Sequence, residues 1–206
     1  MKRLLIATTN PAKLAEYRLL LRDFDLDAVS LADAGIREYP EENGANFEEN
    51  ALIKARFYFT RAQIPTIADD GGLEIDALGG EPGVRSHRWL GEGDNSDANL
   101  VAQVFRRMAD IEQSRRSARL RAATALIYRD NGAILERVTD AAVEGIVASR
   151  PLAHIRPGFP YRSVLYLPDR DCYVGELGVE EEARVSQRRI SISRLAPDLK
   201  RIANLA

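Results

Sequence analysis

Leu4-Leu5-Ile6-Ala7-Thr8-Thr9-Asn10-Pro11-Ala12-Lys13 is the stretch on which the fold turns. Its four leading apolar residues, without polar alternation, read as a buried strand. Asn10 suits a helix N-cap and Pro11 the first helical position, so a helix is expected over residues 12–21. A buried strand running into a helix is the opening unit of an α/β layer. The connecting loop carries chemistry as well. Backbone N–H groups at a helix start favour an anion, and the helix dipole adds to that preference. Lys13 falls in the first turn, where a cation opposes the dipole; a nearby phosphate would remove the conflict. The Gly-rich spacing and Lys-Ser/Thr pair of a Walker loop are missing. An ordinary strand-to-helix turn accounts for the same residues.

Downstream, residues 26–29 read as a second strand. Asn46-Phe47-Glu48-Glu49 has a capping-box pattern, with asparagine in the usual Ser/Thr place. The helix it opens is expected to reach Thr60, with Phe47, Ala51, Ala55 and Phe59 at a spacing of four. Thr66-Ile67-Ala68 reads as a short strand ending at Asp69-Asp70-Gly71-Gly72. Ser96 is placed to cap a helix through Met108. Strands are expected over 118–128, 134–147 and 164–167, then a helix over 190–205 interrupted at Pro197. The mixture along the whole chain indicates an α/β or α+β fold. No repeat, low-complexity tract or linker divides it, so residues 1–206 are expected to form one domain.

Composition bounds the function. The 206 residues are 45% hydrophobic and 29% charged, which excludes a disordered or collagen-like chain. One cysteine, Cys172, permits no internal disulfide and suits a reducing compartment. His87 and His154 lack ligand spacing, which argues against zinc. No apolar run approaches the roughly 20 residues of a membrane span, and Leu4–Ala7 is too short for a signal peptide's apolar region. A cytoplasmic protein with no membrane partner is expected. Residues 1–100 carry 18 acids and 11 bases, and residues 101–206 carry 13 acids and 18 bases. Arg115, Arg116, Arg119, Arg121 and Arg129 could form a basic patch, but no interleaved aromatics support a nucleic-acid groove. Of 29 basic residues only Lys2, Lys13, Lys54 and Lys200 are lysines. A compact ammonium kept in an arginine-rich chain marks places where a planar guanidinium would not fit. Chance explains four residues equally well.

Carboxylates supply the second constellation. Asp69 and Asp70 sit at a strand end beside two glycines, and neighbouring strand residues face opposite sides. Such carboxylates suit Mg²⁺ or a general base, although acids and glycines also simply mark turns. Glu41 and Glu42 precede the second helix and could join a metal site. Glu48 and Glu49 fall in its first turn, where the dipole explains them.

Four stretches in order resemble the inosine triphosphate pyrophosphatase family, also called the XTP/dITP pyrophosphatases. They are residues 7–16 (from Ala7 to Glu16), 47–55 (Phe47 to Ala55), 68–73 (Ala68 to Leu73) and 77–84 (Ala77 to Val84). The resemblance implies an elongated, two-lobed α/β fold with a long mixed central sheet flanked by helices, and a homodimer. It implies Mg²⁺-dependent hydrolysis of non-standard purine nucleoside triphosphates to monophosphate and pyrophosphate. It assigns Thr8, Thr9, Asn10 and Lys13 to the triphosphate, Lys54 to phosphate charge and Asp70 to activating water beside the metal. Glu41 is assigned to the metal by alignment across a loop, which leaves Glu42 open.

The later motifs depart from that family. Gly71 stands where the family has serine. The family's Gly-Phe-Gly-Tyr-Asp-Pro base-pocket motif becomes Gly158-Phe159-Pro160-Tyr161-Arg162-Ser163, reversing a charge at Arg162. Its Lys…Ser-His-Arg motif becomes Glu182…Ser186-Gln187-Arg188. Phe159 and Tyr161 are placed to stack on the base, and Arg188 to donate to a 6-oxo group. Arg162 and Gln187 imply an altered ranking of triphosphates. The alternative is that Arg162 points to solvent or pairs with Glu182 as a swapped ion pair, and specificity stays as it was. Loss of catalysis, leaving a nucleotide-binding or regulatory protein, is a further reading of these departures.

Overall fold

The computed structural model describes residues 1–205. The chain folds into two compact units that interleave in sequence. One holds Met1–Asp70, Ala122–Ala141 and the chain from Gln187; the other holds Gly71–Arg121 and Ala142–Ser186. Twelve regular elements build them: β1 (Lys2–Ile6), α1 (Pro11–Leu21), β2 (Leu26–Ser30), α2 (Phe47–Ala62), β3 (Thr66–Ile75), α3 (Asp97–Arg107), β4 (Ser117–Asp130), β5 (Ala133–Val147), β6 (Leu165–Leu167), β7 (Cys172–Tyr173), α4 (Val179–Val185) and α5 (Gln187–Ala203). The strands are ordered β2-β1-β3-β4-β5-β6-β7. β1 runs parallel to β2 and to β3, whereas β5–β6 and β6–β7 are antiparallel, so the sheet is mixed.

In the first unit β1 lies between two parallel neighbours. Leu4 is opposite Ala28, and Ile6 is opposite both Ser30 and Ile67. The part of a strand covered on both faces and paired on both edges is apolar: Leu4, Leu5 and Ile6 are all buried, whereas Lys2 and Arg3 at the start of β1 are exposed. Asn10 caps α1 as expected, its Oδ1 accepting from the N–H groups of Ala12 (2.9 Å) and Lys13 (3.3 Å). Asn46 caps α2 through Glu49 N (2.8 Å), and Glu49 Oε2 reaches back to Ala45 N (2.8 Å). α1 and α5 contact each other. The Tyr17 hydroxyl meets Thr124 Oγ1 at 3.2 Å beneath α1.

The second unit has its own core. Leu100, Val101, Val104 and Met108 from α3 and the turn after it meet Leu73, Ile75, Leu120, Val147 and Val164. Arg119 is ringed by Glu74, Asp76 and Glu144, and Arg121 pairs with Glu74. Arg116 donates to the carbonyls of Met108, Ile111 and Ala148. Three of the five arginines read as a basic patch are thus engaged internally.

Three boundaries differ from the sequence reading. β3 does not end at Asp69; it stays extended through Gly71-Gly72 to Ile75. α5 begins at Gln187, because Ser186 is extended and separates it from a short α4 that the sequence reading omitted. Pro197 lies inside α5 without ending it.

Gly72 explains how β3 passes its glycines. A Cβ there would lie 1.8 Å from Ser86 Oγ and 2.9 Å from Gly83 O. That hydroxyl accepts from Leu73 N (3.1 Å) and donates to Gly83 O (2.6 Å). Gly72→Ala forces out a side chain that holds two backbone groups. It should destabilise by roughly 2–4 kcal/mol, combining overpacking with lost hydrogen bonds. In urea unfolding, a Ser86→Gly background should remove much of that penalty; an equal penalty in both backgrounds would refute this packing argument.

Candidate functional site

Parallel pairing sets the carboxyl end of β1 beside the start of β3, with Leu5 opposite Thr66 and Ile6 opposite Ile67. β1 delivers Thr8–Lys13 to this place and β3 delivers Asp69-Asp70. Strand alternation then separates the two aspartates.

Asp69 faces Lys13 and α5. Its Oδ2 lies 3.2 Å from Lys13 Nζ, 2.9 Å from Arg188 Nε and 2.8 Å from Arg188 Nη2. Arg188 Nη1 also meets Glu16 Oε2 at 3.3 Å. All four side chains are at most 10% exposed. Burial opposes the Asp69 charge, but Arg188, Lys13 and Lys54 outweigh it and hold the carboxyl far below the usual range. Lys13 is pulled below the ordinary lysine value by burial, against the attraction of Asp69. Arg188 stays charged despite burial, through Asp69 and Glu16.

Asp70 faces α2. Its Oδ1 is 3.1 Å from Lys54 Nζ and its Oδ2 accepts from Asn50 Nδ2 at 3.1 Å. Lys54 also meets Glu42 Oε2 at 2.8 Å. Burial alone would lower Lys54, but Asp70, Glu42 and Asp69 together hold it above its ordinary value. Two of the four lysines in the chain are therefore in carboxylate clusters.

Asn50 escaped the sequence reading. It is fully buried and its Oδ1 accepts from Gly44 N at 2.8 Å. A Cβ on Gly44 would stand 2.7 Å from that oxygen. The available signal was an amide one position before Ala51 on the apolar stripe of α2. Glu41 is exposed, while its neighbour Glu42 is the one brought to Lys54.

The expectation of free N–H groups at the start of α1 needs correction. Pro11 has none, Ala12 and Lys13 donate to Asn10 Oδ1, and Leu14 donates to Asn10 O. Thr8 Oγ1 accepts from Asn10 N at 3.1 Å, and Thr9 is exposed. The N-cap satisfies the helix itself, so attraction for an anion here falls to the lysine and the threonines.

The remaining predicted residues form a cluster within the second unit, apart from Gln187, which is buried at the start of α5. Gly71 is buried in β3. Tyr161 donates to Ser86 O at 2.6 Å, and burial raises its phenol. The Arg162 guanidinium lies 3.5 Å from the Phe159 ring centre, a cation–π contact. Arg162 Nε lies 2.6 Å from Glu182 Oε1, both side chains being about 5% exposed. Arg156 also pairs with Glu182. The two positions that depart most in charge from the resembled family are therefore partners.

Fold and clusters define an α/β protein with an ammonium–carboxylate site where the carboxyl end of β1 meets the middle of β3. A sequence profile described as the Ham1 family matches residues 4–198, and the chain belongs to that family. It is 36% identical over 196 residues to a dITP/XTP pyrophosphatase of Bacillus subtilis, covering 95% of this chain and 96% of the relative. A Thermus thermophilus protein of the same name is 37% identical over 186 residues, covering 90% and 86%. Among solved structures, a HAM1 protein from Coxiella burnetii superposes with a TM-score of 0.83 at 31% identity, covering 98% of this chain and all of that one.

Two expected outcomes follow from these clusters. Breaking a buried ion pair typically costs about 3–5 kcal/mol. Glu182→Lys should cost that much in chemical denaturation, and Arg162→Asp/Glu182→Lys should recover a large part; additive losses would contradict the swapped pair. Unfolded Asp69 titrates near 3.9 and folded Asp69 lower, so the unfolded chain takes up this proton first as pH falls. Its contribution is complete above the unfolded value and is lost below it. Stability measured from pH 6 to pH 2 should therefore fall less steeply in Asp69→Asn than in the parent.

Proposed function

We propose that this protein hydrolyses non-standard purine nucleoside triphosphates to the monophosphate and pyrophosphate. The observation that carries the reading is Asp70, buried and held between Lys54 and Asn50, beside the Lys13–Asp69 pair. The names of the relatives support the same reaction and the same substrate class. A protein that only bound nucleotides need not keep a carboxylate that activates water.

In this reading Lys13, Thr8, Thr9 and Asn10 receive the triphosphate. Lys54 balances charge growing on the phosphate oxygens, an electrostatic role that often dominates such catalysis. Asp70 accepts a proton from the attacking water, and Asn50 fixes the carboxylate that does so. The bond between the α-phosphorus and its bridging oxygen breaks, and pyrophosphate leaves.

The donor chemistry fits Mg²⁺. Among the described residues no group of three or more His, Cys, Asp or Glu could hold a metal. Mg²⁺ ordinarily uses one or two carboxylates and takes its other ligands from phosphates and water. Asp70 and Glu42 would hold it, with Glu42 preferred to Glu41 because Lys54 ties Glu42 to Asp70. When bound, the ion supplies positive charge and lowers the pKa of a coordinated water.

Phe159, Tyr161, Arg162, Gln187 and Arg188 serve the base, and Gly71 contributes backbone only. Because Arg162 already faces Glu182, the reading keeps the preference for 6-oxo purines such as ITP and XTP. A homodimer is carried over from the resemblance, while a cytoplasmic location and one functional domain over residues 1–206 are carried over from composition and the lack of a linker. No helix among the described residues is long and apolar enough to cross a membrane.

With Mg²⁺ and ITP or XTP the products should be monophosphate and pyrophosphate. Asp70→Asn should lower the rate by about 10²–10⁴-fold, the usual contribution of a general base, with the circular dichroism spectrum unchanged. Orthophosphate as the first product, or full activity in the variant, would refute the assignment.

A further inference from the structure

The first unit has a second cavity at the opposite end of β1 from Thr8–Lys13. It encloses about 560 Å³ and is lined by residues from β1, the end of α2, the turn between β4 and β5, and the end of α5. Ligand pockets typically span about 300–1,000 Å³. Lys2 and Thr8 are six positions apart, which in extended chain is roughly 20 Å, so this cavity is distinct from the aspartate site.

Its lining has two characters. Phe59, Ile64, Ile202 and Leu205 are apolar, and Phe59 and Ile202 are buried. Lys2, Arg3 and Arg129 bring positive charge, and no carboxylate is among the lining residues. Arg3 stands opposite Asp27 in the parallel ladder and interacts with Asp33, so its charge is partly answered. Lys2 and Arg129 pair with no carboxylate among the described residues. The nearest sequence neighbour able to do so, Asp130, is paired with Arg201.

Helix ends could cancel this charge, since carbonyls at a helix C-terminus carry partial negative charge. Here several are already satisfied. Gln63 N donates to Phe59 O, Gln63 Nε2 to Thr60 O and Arg61 Nη1 to Phe57 O at the end of α2. At the end of α5, Asn204 donates to Lys200 O through both its backbone and side-chain nitrogens, and Leu205 N donates to Ile202 O. Lys2 and Arg129 are exposed and bring positive charge beside the apolar residues of the cavity.

We propose that this cavity binds a small amphipathic anion: an apolar body with a single carboxylate or sulfonate. The body replaces water over the half-buried Ile64 and Leu205, and burial of apolar area drives its entry. The head group reaches Lys2 and Arg129, where charge-assisted contacts set its orientation.

The test uses 8-anilino-1-naphthalenesulfonate and its uncharged analogue N-phenyl-1-naphthylamine, followed by fluorescence on the full chain. The sulfonate should bind saturably at one site. Lys2→Glu/Arg129→Glu should weaken it at least about tenfold while leaving the uncharged analogue unaffected. If the double variant does not fold, Arg129→Gln at its exposed position should still weaken the sulfonate at least about threefold. Inorganic tripolyphosphate, which lacks an apolar body, should not displace the probe. Equal sulfonate affinity in parent and variant, absence of saturable binding, or displacement by tripolyphosphate would overturn the proposal.

Discussion

Two consecutive carboxylates on an extended strand cannot face the same side, and the candidate site depends on that constraint. Because β3 stays extended through Asp69-Asp70-Gly71-Gly72, each aspartate meets a different set of partners. Asp69 takes Lys13 and Arg188; Asp70 takes Lys54 and Asn50. A turn at the glycines would release this separation. Each carboxylate is buried, and a buried charge without partners is costly. The cations and carboxylates therefore require one another: Asp70 and Glu42 keep Lys54 charged, and Arg188, Lys13 and Lys54 keep Asp69 ionised. The scarcity of lysine elsewhere fits this demand for a compact cation in a narrow place.

Much of the first unit is legible in sequence because its signals are local. Asn10-Pro11 and Asn46…Glu49 are caps whose hydrogen bonds are made within a few residues, and Leu4–Ile6 of β1 are apolar because they are buried. The aspartate site was reached through Asp70, Lys54 and Lys13 by resemblance, and the geometry adds Asn50 and favours Glu42. What the sequence concealed depends on distant partners. The Gly71-Gly72 pair reads as a turn, yet Gly72 is the residue that admits Ser86, fourteen positions away, against the strand. The hairpin between β4 and β5 turns on Asn131-Gly132, both left-handed, the favoured dipeptide of a tight two-residue turn. α4 carries three glutamates in its first turn, as the dipole favours, but seven residues give too little periodicity to find it.

The second unit shows how an apparent loss can be a rearrangement. Read singly, Arg162 and Glu182 each reverse a charge relative to the resembled family. Read together, they are a buried pair at 2.6 Å, with Arg156 on the same carboxylate and Phe159 against the guanidinium. Charge balance survives although both signs have changed. That favours continuity of substrate class over a new one, since the cation meets its partner within the protein and is not presented bare to the base.

The central claim is that the Asp70–Lys54 pair directs water to the α-phosphorus. Turnover of ITP in ¹⁸O-labelled water, with Mg²⁺, locates the attack by mass spectrometry of the products. The account predicts one ¹⁸O atom in inosine monophosphate and none in pyrophosphate. Label in pyrophosphate with unlabelled monophosphate would place the attack at the β-phosphorus and contradict it.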